Sequence, residues 1–137
     1  ADNFGDLEQA WIWRGDNFGP SVDYILRATP IYAGGKLFTV AGQSRTVAAL
    51  DPATGETLWI FREPHTTRWQ RSSRKSHGKG VAYDKIGDRG VIYLVTPAFF
   101  LHALDAETGR PRGEPLRGHE DFVRSVAFSL SWTVSMT

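Results

Sequence analysis

Ala49-Leu50-Asp51-Pro52-Ala53-Thr54-Gly55 recurs 54 residues later as Ala103-Leu104-Asp105-Ala106-Glu107-Thr108-Gly109, with five of the seven positions identical. A chain that repeats itself at a fixed period builds one structural unit per repeat. The same offset places residues 37–40 over 91–94 and Val47 over Leu101. We therefore expect two copies of one unit in tandem.

Each copy consists of short β-prone runs separated by turn residues, and the period is close to that of a four-stranded β-propeller blade. The stretch 105–117 carries two Pro and two Gly, which argues against a fourth strand in the second copy. No segment has a sustained helical period. The predicted strands are 29–33, 36–41, 46–50 and 57–61 in the first copy, and 80–83, 90–96 and 99–104 in the second.

The sequence thus predicts an all-β chain, a partial propeller of two to three four-stranded antiparallel blades. The blades are expected near residues 28–62 and 79–112, with a partial third blade from about residue 120. Residues 10–14, which hold Trp11 and Trp13, are interpreted as an outer strand of a preceding blade.

The repeated turn has a structural explanation in each copy. Its Asp accepts hydrogen bonds from N–H groups two or three residues on, and its Gly supplies a positive φ. Trp59, four residues after Gly55, is expected to lie across the neighbouring blade and donate its indole N–H. Gly113 holds that position in the second copy, so the docking contact is missing there. No catalytic residue is predicted, and the turn residues assigned to structure are Asp51, Thr54, Gly55, Trp59, Asp105, Thr108 and Gly109.

Composition excludes several classes of protein. The 137 residues are 41% hydrophobic, and 16 Lys and Arg balance 15 Asp and Glu, so the net charge of +1 does not favour nucleic acid or an anionic membrane. No Cys is present, which excludes disulfides and thiolate metal sites. The basic run 68–79, with Trp69, is interpreted as an inter-blade loop rather than a nucleic-acid surface. His65, His77, His102 and His119 have no metal-ligand spacing.

Longer segments resemble the pyrroloquinoline-quinone (PQQ) family of quinoprotein dehydrogenases. Gly78-Lys79-Gly80-Val81-Ala82-Tyr83, followed by the second repeat through Pro111, resembles the family's Arg-Gly-Val-Ala-Tyr strand and the blade end Leu-x-Ala-Leu-Asp-Ala-x-Thr-Gly-x-Pro. Residues 28–59 resemble the preceding blade, which ends in the family's tryptophan-docking repeat. The resemblance covers roughly residues 1–112.

The resemblance implies a periplasmic or membrane-associated parent with roughly eight blades, which oxidises a sugar or alcohol by hydride transfer to PQQ with Ca²⁺ in the central channel. Lys79 takes the place of the family's cofactor-facing Arg, and Arg27 stands where some alcohol-oxidising members carry a Glu. Ser73 and Arg74 replace the adjacent Cys pair of those alcohol-oxidising members. The resemblance therefore also allows a glucose-type or related membrane quinoprotein. The metal ligands and catalytic base are expected in later blades. We therefore expect this chain alone to bind neither cofactor tightly and to be inactive.

The last part of the chain has a different resemblance. Residues 113–129 resemble the opening of a WD-repeat blade, with a Gly-His turn before Val-x-x-Val-Ala-Phe-Ser. Residues 113–137 are thus interpreted as a WD-like partial blade or an unrelated tail. This stretch favours the alternative function, a non-catalytic propeller for protein binding, similar to outer-membrane assembly lipoproteins or WD-repeat scaffolds. The expected partners are a sugar or alcohol and an electron acceptor for the parent protein, and the missing blades or further copies of the chain for this chain; nucleic acid is not expected.

Overall fold

The computed structural model describes residues 4–15, 18, 27–42, 44–73, 75, 80–117, 126–128 and 134–136. None of the helices in this part of the chain is both long and apolar enough to cross a membrane. Its elements are a 3₁₀ turn at Phe4–Asp6, strands β1 Ile31–Ala33, β2 Lys36–Ala41, β3 Thr46–Leu50 and β4 Thr57–Phe61, helix α1 Thr67–Arg71, and strands β5 Ala82–Ile86, β6 Arg89–Val95, β7 Leu101–Asp105, β8 Val126–Phe128 and β9 Val134–Met136.

The strands form antiparallel sheets, which confirms the all-β partial propeller. Strands β1 to β4 make one four-stranded sheet in sequence order, blade 1, and β5 to β7 make a three-stranded sheet, blade 2. Isolated bridges join Leu101 to Leu116 and Leu104 to Pro111, so a loosely paired segment runs beside β7 where a fourth strand would lie. Strands β8 and β9 pair as a separate hairpin. The rest of the WD-like stretch at 118–125 and 129 lies outside the described residues.

Two local expectations were wrong. Helix α1 was not predicted, because five residues are too few to show a helical period. The helix starts where Thr66 Oγ1 accepts the Trp69 N–H at 3.3 Å, an N-cap that satisfies a donor without a helical partner. Residues 10–14 form no strand, since no described segment pairs with them along its edge.

The sequence alignment of the two blades was also wrong by one residue upstream of the repeated Asp turn. The β1–β2 turn at Gly34 corresponds to the β5–β6 turn at Gly87, an offset of 53 residues rather than 54. The extra residue lies in the β6–β7 connection, which spans 96–100 where the β2–β3 connection spans 42–45. Because strand side chains alternate between faces, a slip of one residue exchanges the faces. The ladders agree that 91–94 is out of phase, since Leu37 pairs with Leu50 whereas Ile92, and not Val91, pairs with Leu104. Residues 91–94 therefore do not face the same way as residues 37–40.

The hydrophobic core lies between the two blades. Phe38 of blade 1 is 1% exposed, and its ring stacks on Tyr83 of blade 2 with centroids 6.3 Å apart. Ile92 and Leu104, which are opposite each other in blade 2, are fully buried against the same cluster. Each such side chain contributes about 1.5–3 kcal/mol through removal from water. The other buried members are Ala28, Val40, Val47, Ala49, Leu94 and Ala106.

The antiparallel order gives this two-blade unit two distinct ends. We call the turn end the one that carries the β1–β2, β3–β4 and β5–β6 turns and the Asp105 turn. We call the connection end the opposite one, which carries residues 42–45, residues 96–100 and the crossing from β4 to β5.

Candidate functional site

The two cations predicted to face a cofactor precede the first strands of their blades. Arg27 is exposed and precedes the buried Ala28. Lys79 lies outside the described residues, and Gly80 directly follows it. A Cβ on Gly80 would lie 3.7 Å from the Thr29 carbonyl oxygen and 4.0 Å from the Ala28 Cβ. The starts of the two first strands therefore lie side by side at the connection end.

A buried carboxylate lies at the same end, and sequence reasoning missed it. Glu63 follows β4 and is 4% exposed. Its Oε1 accepts the Thr96 hydroxyl at 2.5 Å, and its Oε2 accepts the Ala98 N–H at 3.1 Å. Both donors belong to the β6–β7 connection of blade 2. Nε2 of the buried His102 lies 3.8 Å from Oε1, beyond hydrogen-bond distance.

Two arginines contact the same connection. Arg45, 8% exposed, donates from Nη1 to the Val95 and Thr96 carbonyls at 3.2 and 3.4 Å. Arg68 of α1 donates from Nε to the Ala98 carbonyl at 2.7 Å. We call these contacts of Arg45, Glu63 and Arg68 with residues 95–98 the inter-blade clamp. A Glu after a strand and two separate Arg residues form no sequence motif, so only the fold reveals this cluster.

The basic run has intramolecular contacts in its described part. The Arg68 guanidinium lies 5.1 Å from the centroid of the Phe100 ring, and the Lys75 ammonium lies 4.8 Å from that of Trp69. Such distances are those of cation–π contacts. These two cations thus pack on aromatic rings of their own chain.

The described residues offer no calcium site. No group of three or more His, Asp or Glu side chains among them lies close enough to hold a metal ion. Carboxylate-rich ligand sets are what Ca²⁺ requires. We therefore assign no metal-dependent step to these residues.

At the turn end the two Asp turns are alike. Asp51 Oδ1 accepts the N–H groups of Ala53 and Thr54 at 2.7 and 3.0 Å, and these bonds lower the pKa of its carboxyl group. Asp105 Oδ1 accepts the N–H of Glu107 and both the N–H and the hydroxyl of Thr108. Partial burial is the largest single influence on the pKa of Asp105 and raises it, but the hydrogen bonds and the nearby Arg112 charge together outweigh burial, so that pKa is also lowered.

A cleft of about 560 Å³ opens between the blades at the turn end. Its lining includes both signs of charge, so it presents no uniform field for a ligand that carries several carboxylates. Arg27 and Gly80, by contrast, lie at the connection end. The charged lining residues of the cleft are Lys85, Asp88, Arg89, Asp105 and Glu107.

A tryptophan docks on each Asp turn in the same way. Trp59 of blade 1 donates its indole N–H to the Ala106 carbonyl at 3.1 Å, and Trp11 donates to the Pro52 carbonyl at 3.1 Å. A Cβ on Gly109 would lie 2.5 Å from the Trp59 ring, and a Cβ on Gly55 would lie 2.6 Å from the Trp11 ring. Residues 10–14 thus perform the docking role of β4 without forming a strand.

Residues 1–114 match the family model of the PQQ β-propeller domain of glucose, ethanol and alcohol dehydrogenases. The chain belongs to this family. The match confirms the resemblance found in the two repeats, and the docked tryptophans give this PQQ propeller chain its blade-to-blade contacts. No curated protein matches the chain.

One of the solved structures that match the chain shares its fold. The quinohemoprotein alcohol dehydrogenase ADHIIG from Pseudomonas putida HK5 is 28% identical, with a TM-score of 0.60, and the match covers 80% of this chain and 15% of that one. BamB from Moraxella catarrhalis is 24% identical, with a TM-score of 0.44, and the match covers 60% of this chain and 22% of that one. The chain therefore spans less than a quarter of the length of either structure.

Proposed function

We propose that the chain is part of the propeller of a PQQ-dependent dehydrogenase that oxidises a sugar or alcohol, and that Arg27 and Lys79 bind carboxylates of PQQ. The observation that carries the proposal is that the backbone at Gly80 lies near Ala28 and Thr29, since Lys79 directly precedes Gly80 and Arg27 directly precedes Ala28. PQQ carries several carboxylates, for which guanidinium and ammonium groups are suitable ligands. When bound, PQQ supplies the acceptor for the hydride.

The family match and the likeness to a quinohemoprotein alcohol dehydrogenase support this proposal. Arg27 and Ser73 differ from the residues that the resemblance implies for alcohol-oxidising members. A cation at position 27 favours an anionic group such as a carboxylate of PQQ, and it is compatible with the oxidation of either a sugar or an alcohol. We also propose that the parent protein is periplasmic or membrane-associated and faces the periplasm, as the family resemblance implies.

The remaining blades are the proposed partners of this chain. Tyr32, Leu58 and Ile60 of blade 1 are 68%, 45% and 49% exposed, which is unusual for large apolar side chains in a sheet. All three alternate with residues that face blade 2, so they lie on the opposite face of blade 1. Such a face fits a neighbouring blade of the same propeller, or a further copy of the chain when that blade is absent.

Titration of the chain with PQQ tests the proposal. We expect weak, salt-sensitive binding, and Arg27→Ala or Lys79→Ala should each weaken it about two- to fivefold, the effect of losing one ion pair in water. Arg89→Ala, which removes an exposed cation at the turn end, is the matched control and should leave PQQ affinity unchanged. With Ca²⁺, sugars or alcohols and a dye acceptor added, dye reduction should stay at the level of free PQQ.

Equal PQQ affinity for the wild-type chain, both cation variants and Arg89→Ala would remove the support for a cofactor site. That result would favour the non-catalytic binding propeller that the sequence left as the alternative. Dye reduction above the free-PQQ level, abolished by Lys79→Ala, would show instead that the chain holds a complete catalytic site.

A further inference from the structure

The nearly balanced net charge of the chain hides an uneven distribution between its two ends. Residues 116–117 belong to the connection end, because the backbone of Leu116 pairs with Leu101 beside the 96–100 connection. Among the described residues of this end, the only carboxylate is that of Glu63, which is 4% exposed. Exposed or half-buried cations are numerous at the same end, and we call them together the basic face. The basic face consists of Arg27, Arg62, Arg68, Arg71, Lys75 and Arg117.

The turn end carries more carboxylates than cations among its described residues. One of its cations, Lys36, is neutralised by Glu107, whose carboxylate oxygen lies 2.7 Å from the ammonium nitrogen. The two-blade unit is therefore electrically polar, with its positive end at the basic face, and an anionic partner is drawn to that end. The carboxylates of the turn end are Asp51, Glu56, Asp88, Asp105 and Glu107, and its cations are Lys36, Lys85, Arg89 and Arg110.

Helix α1 and the residue after Leu116 contribute the centre of the basic face. Arg68 and Arg71 are three residues apart on α1 and so occupy neighbouring positions on its surface. The guanidinium groups of Arg68 and Arg117 lie 5.1 and 5.2 Å from the centroid of the Phe100 ring. An aromatic ring carries no net charge, so these contacts orient the two cations without neutralising them.

The carboxylate of Glu114 lies at the edge of the basic face. Its Oε2 is 3.9 Å from Nη2 of Arg117, and the two side chains are 92% and 67% exposed. An ion pair that is so exposed to water contributes little. Glu114 therefore lowers the local charge, but the basic face stays strongly positive.

The aromatic rings of the basic face do not favour nucleic acid as its partner. The Trp69 ring stacks on His65 with centroids 3.7 Å apart and also carries the Lys75 ammonium. The Phe100 ring carries two guanidinium groups. Both rings thus hold side chains of their own chain where a nucleobase would have to stack, and such stacking is a main source of affinity for single strands.

The width of the basic face and an exposed leucine favour a flat anionic surface. Arg27 precedes β1 and Arg62 follows β4, the two edge strands of blade 1, which are three strand spacings or about 14 Å apart. Leu116, next to Arg117, is 42% exposed. Cations that meet phosphate head groups, together with an apolar side chain that enters the acyl boundary, are the features by which peripheral proteins bind anionic lipid.

We propose that the basic face docks on an anionic lipid bilayer, with Arg71, Lys75 and Arg117 bound to lipid phosphates and Leu116 at the acyl boundary. The proposal goes beyond the proposed PQQ function and does not depend on it. Docking in this way turns the connection end toward the lipid and the turn end toward water.

Co-sedimentation of the chain with vesicles tests the docking. We expect binding to vesicles of equal parts phosphatidylglycerol and phosphatidylcholine, no binding to pure phosphatidylcholine, and release as salt is raised. Arg71→Gln and Arg117→Gln should each weaken binding about fivefold, the effect of one cation near an anionic membrane, and together about 25-fold. The double variant Arg71→Lys with Arg117→Lys keeps both charges and should bind like the wild-type chain.

The matched control removes two exposed cations from the turn end, as Lys85→Gln with Arg89→Gln. It changes the net charge by the same amount as the double Gln variant of the basic face, and it should leave vesicle binding unchanged. Equal losses in the two double variants would overturn the docking surface, because net charge alone would then determine binding. A wild-type chain that does not sediment with the phosphatidylglycerol vesicles would contradict the proposal directly.

Soluble polyanions distinguish a bilayer from other anionic partners. Polyglutamate represents an acidic protein and an oligothymidylate represents a nucleic acid, and neither should displace the chain from the vesicles at equal charge concentration. Leu116→Asn should weaken vesicle binding about threefold without changing its salt dependence, since a bilayer offers this side chain an apolar contact. Displacement by either polymer, or unchanged vesicle affinity of Leu116→Asn, would rule out the bilayer as the partner.

Discussion

The two ends of the interface between the blades are held by different chemistry. At the turn end a tryptophan ring lies on a glycine, and its indole N–H meets a backbone carbonyl. At the connection end buried charged side chains bind the backbone and hydroxyl of one short turn. The first arrangement needs only a Gly and a carbonyl from its neighbour, so it can recur at every blade. The second depends on residues 45, 63 and 68 together, and within the described residues it joins blade 1 to blade 2.

The recurrence of the turn-end contact is visible within the chain. Trp11 docks on blade 1 as Trp59 docks on blade 2, with the same acceptor position and the same glycine. Residues 10–14 hold Trp11 in this contact although they form no strand. The docking contact therefore does not require that the tryptophan lie within a sheet.

The largest expected effect comes from the turn end. Trp59→Ala removes a ring that packs on Phe38 and Gly109 and donates a hydrogen bond, so we expect a loss of about 3 kcal/mol in the free energy of unfolding. Leu58→Ala, on the same strand but with an exposed side chain, is the control and should cost less than about 1 kcal/mol. Urea unfolding of both variants gives the comparison. Equal losses would mean that the ring does not join the blades.

A smaller effect distinguishes the contact of a glycine with the tryptophan ring from the backbone strain that a positive φ imposes on any other residue. Gly109 and Gly113 both have a positive φ, but only at Gly109 would a Cβ meet the tryptophan ring. Gly113→Ala should cost about 1 kcal/mol from backbone strain alone, and Gly109→Ala should cost about 1–3 kcal/mol more. Thermal or urea unfolding measures both. If the two variants were equally stable, the close approach of Trp59 to Gly109 would be refuted.

The smallest effect is the pH dependence of the two Asp turns. The pKa values of Asp51 and Asp105 are below their ordinary value of 3.8 in the folded chain. A lowered folded-state pKa stabilises above the unfolded-state value, and that stability is lost as pH falls through the folded-state pKa. Stability should therefore drop below about pH 4, and Asp51→Asn with Asp105→Asn should flatten the drop, as followed by urea midpoints from pH 3 to pH 6. If the urea midpoint of the double variant fell with pH as steeply as that of the wild-type chain, the groups responsible would be other than Asp51 and Asp105.

The turn end could be predicted from sequence because its determinants are local. Asp51, Gly55 and Trp59 lie within nine residues, and the copy of the turn is equally compact. The strands followed from short apolar runs between turn residues, and six of the seven strands of blades 1 and 2 were predicted within two residues of their observed ends. The prediction for β5 ended three residues too early.

The connection end could not be predicted in this way. Its clamp joins Arg45, Glu63 and Arg68 to a turn more than 25 residues further along the chain, and only the packed blades bring these segments together. The extra residue in 96–100 could not be recognised from the sequence, because apolar side chains occupy both faces of β6. The hydrophobic pattern is therefore compatible with aligning the two blades with or without that residue. Lys79 was predicted by resemblance alone and stays a prediction.

The most direct test of the docked interface is the chemical shift of the Gly109 Hα protons. These protons lie against the face of the Trp59 ring, as the Gly55 protons lie against that of Trp11, so ring currents should move both glycine signals upfield of ordinary glycine positions in a ¹H–¹³C spectrum. We predict that Trp59→Leu returns the Gly109 signal to the ordinary position and leaves Gly55 shifted, and that Trp11→Leu does the reverse. An unshifted Gly109 in the wild-type chain, or one that ignores Trp59→Leu, would contradict the account.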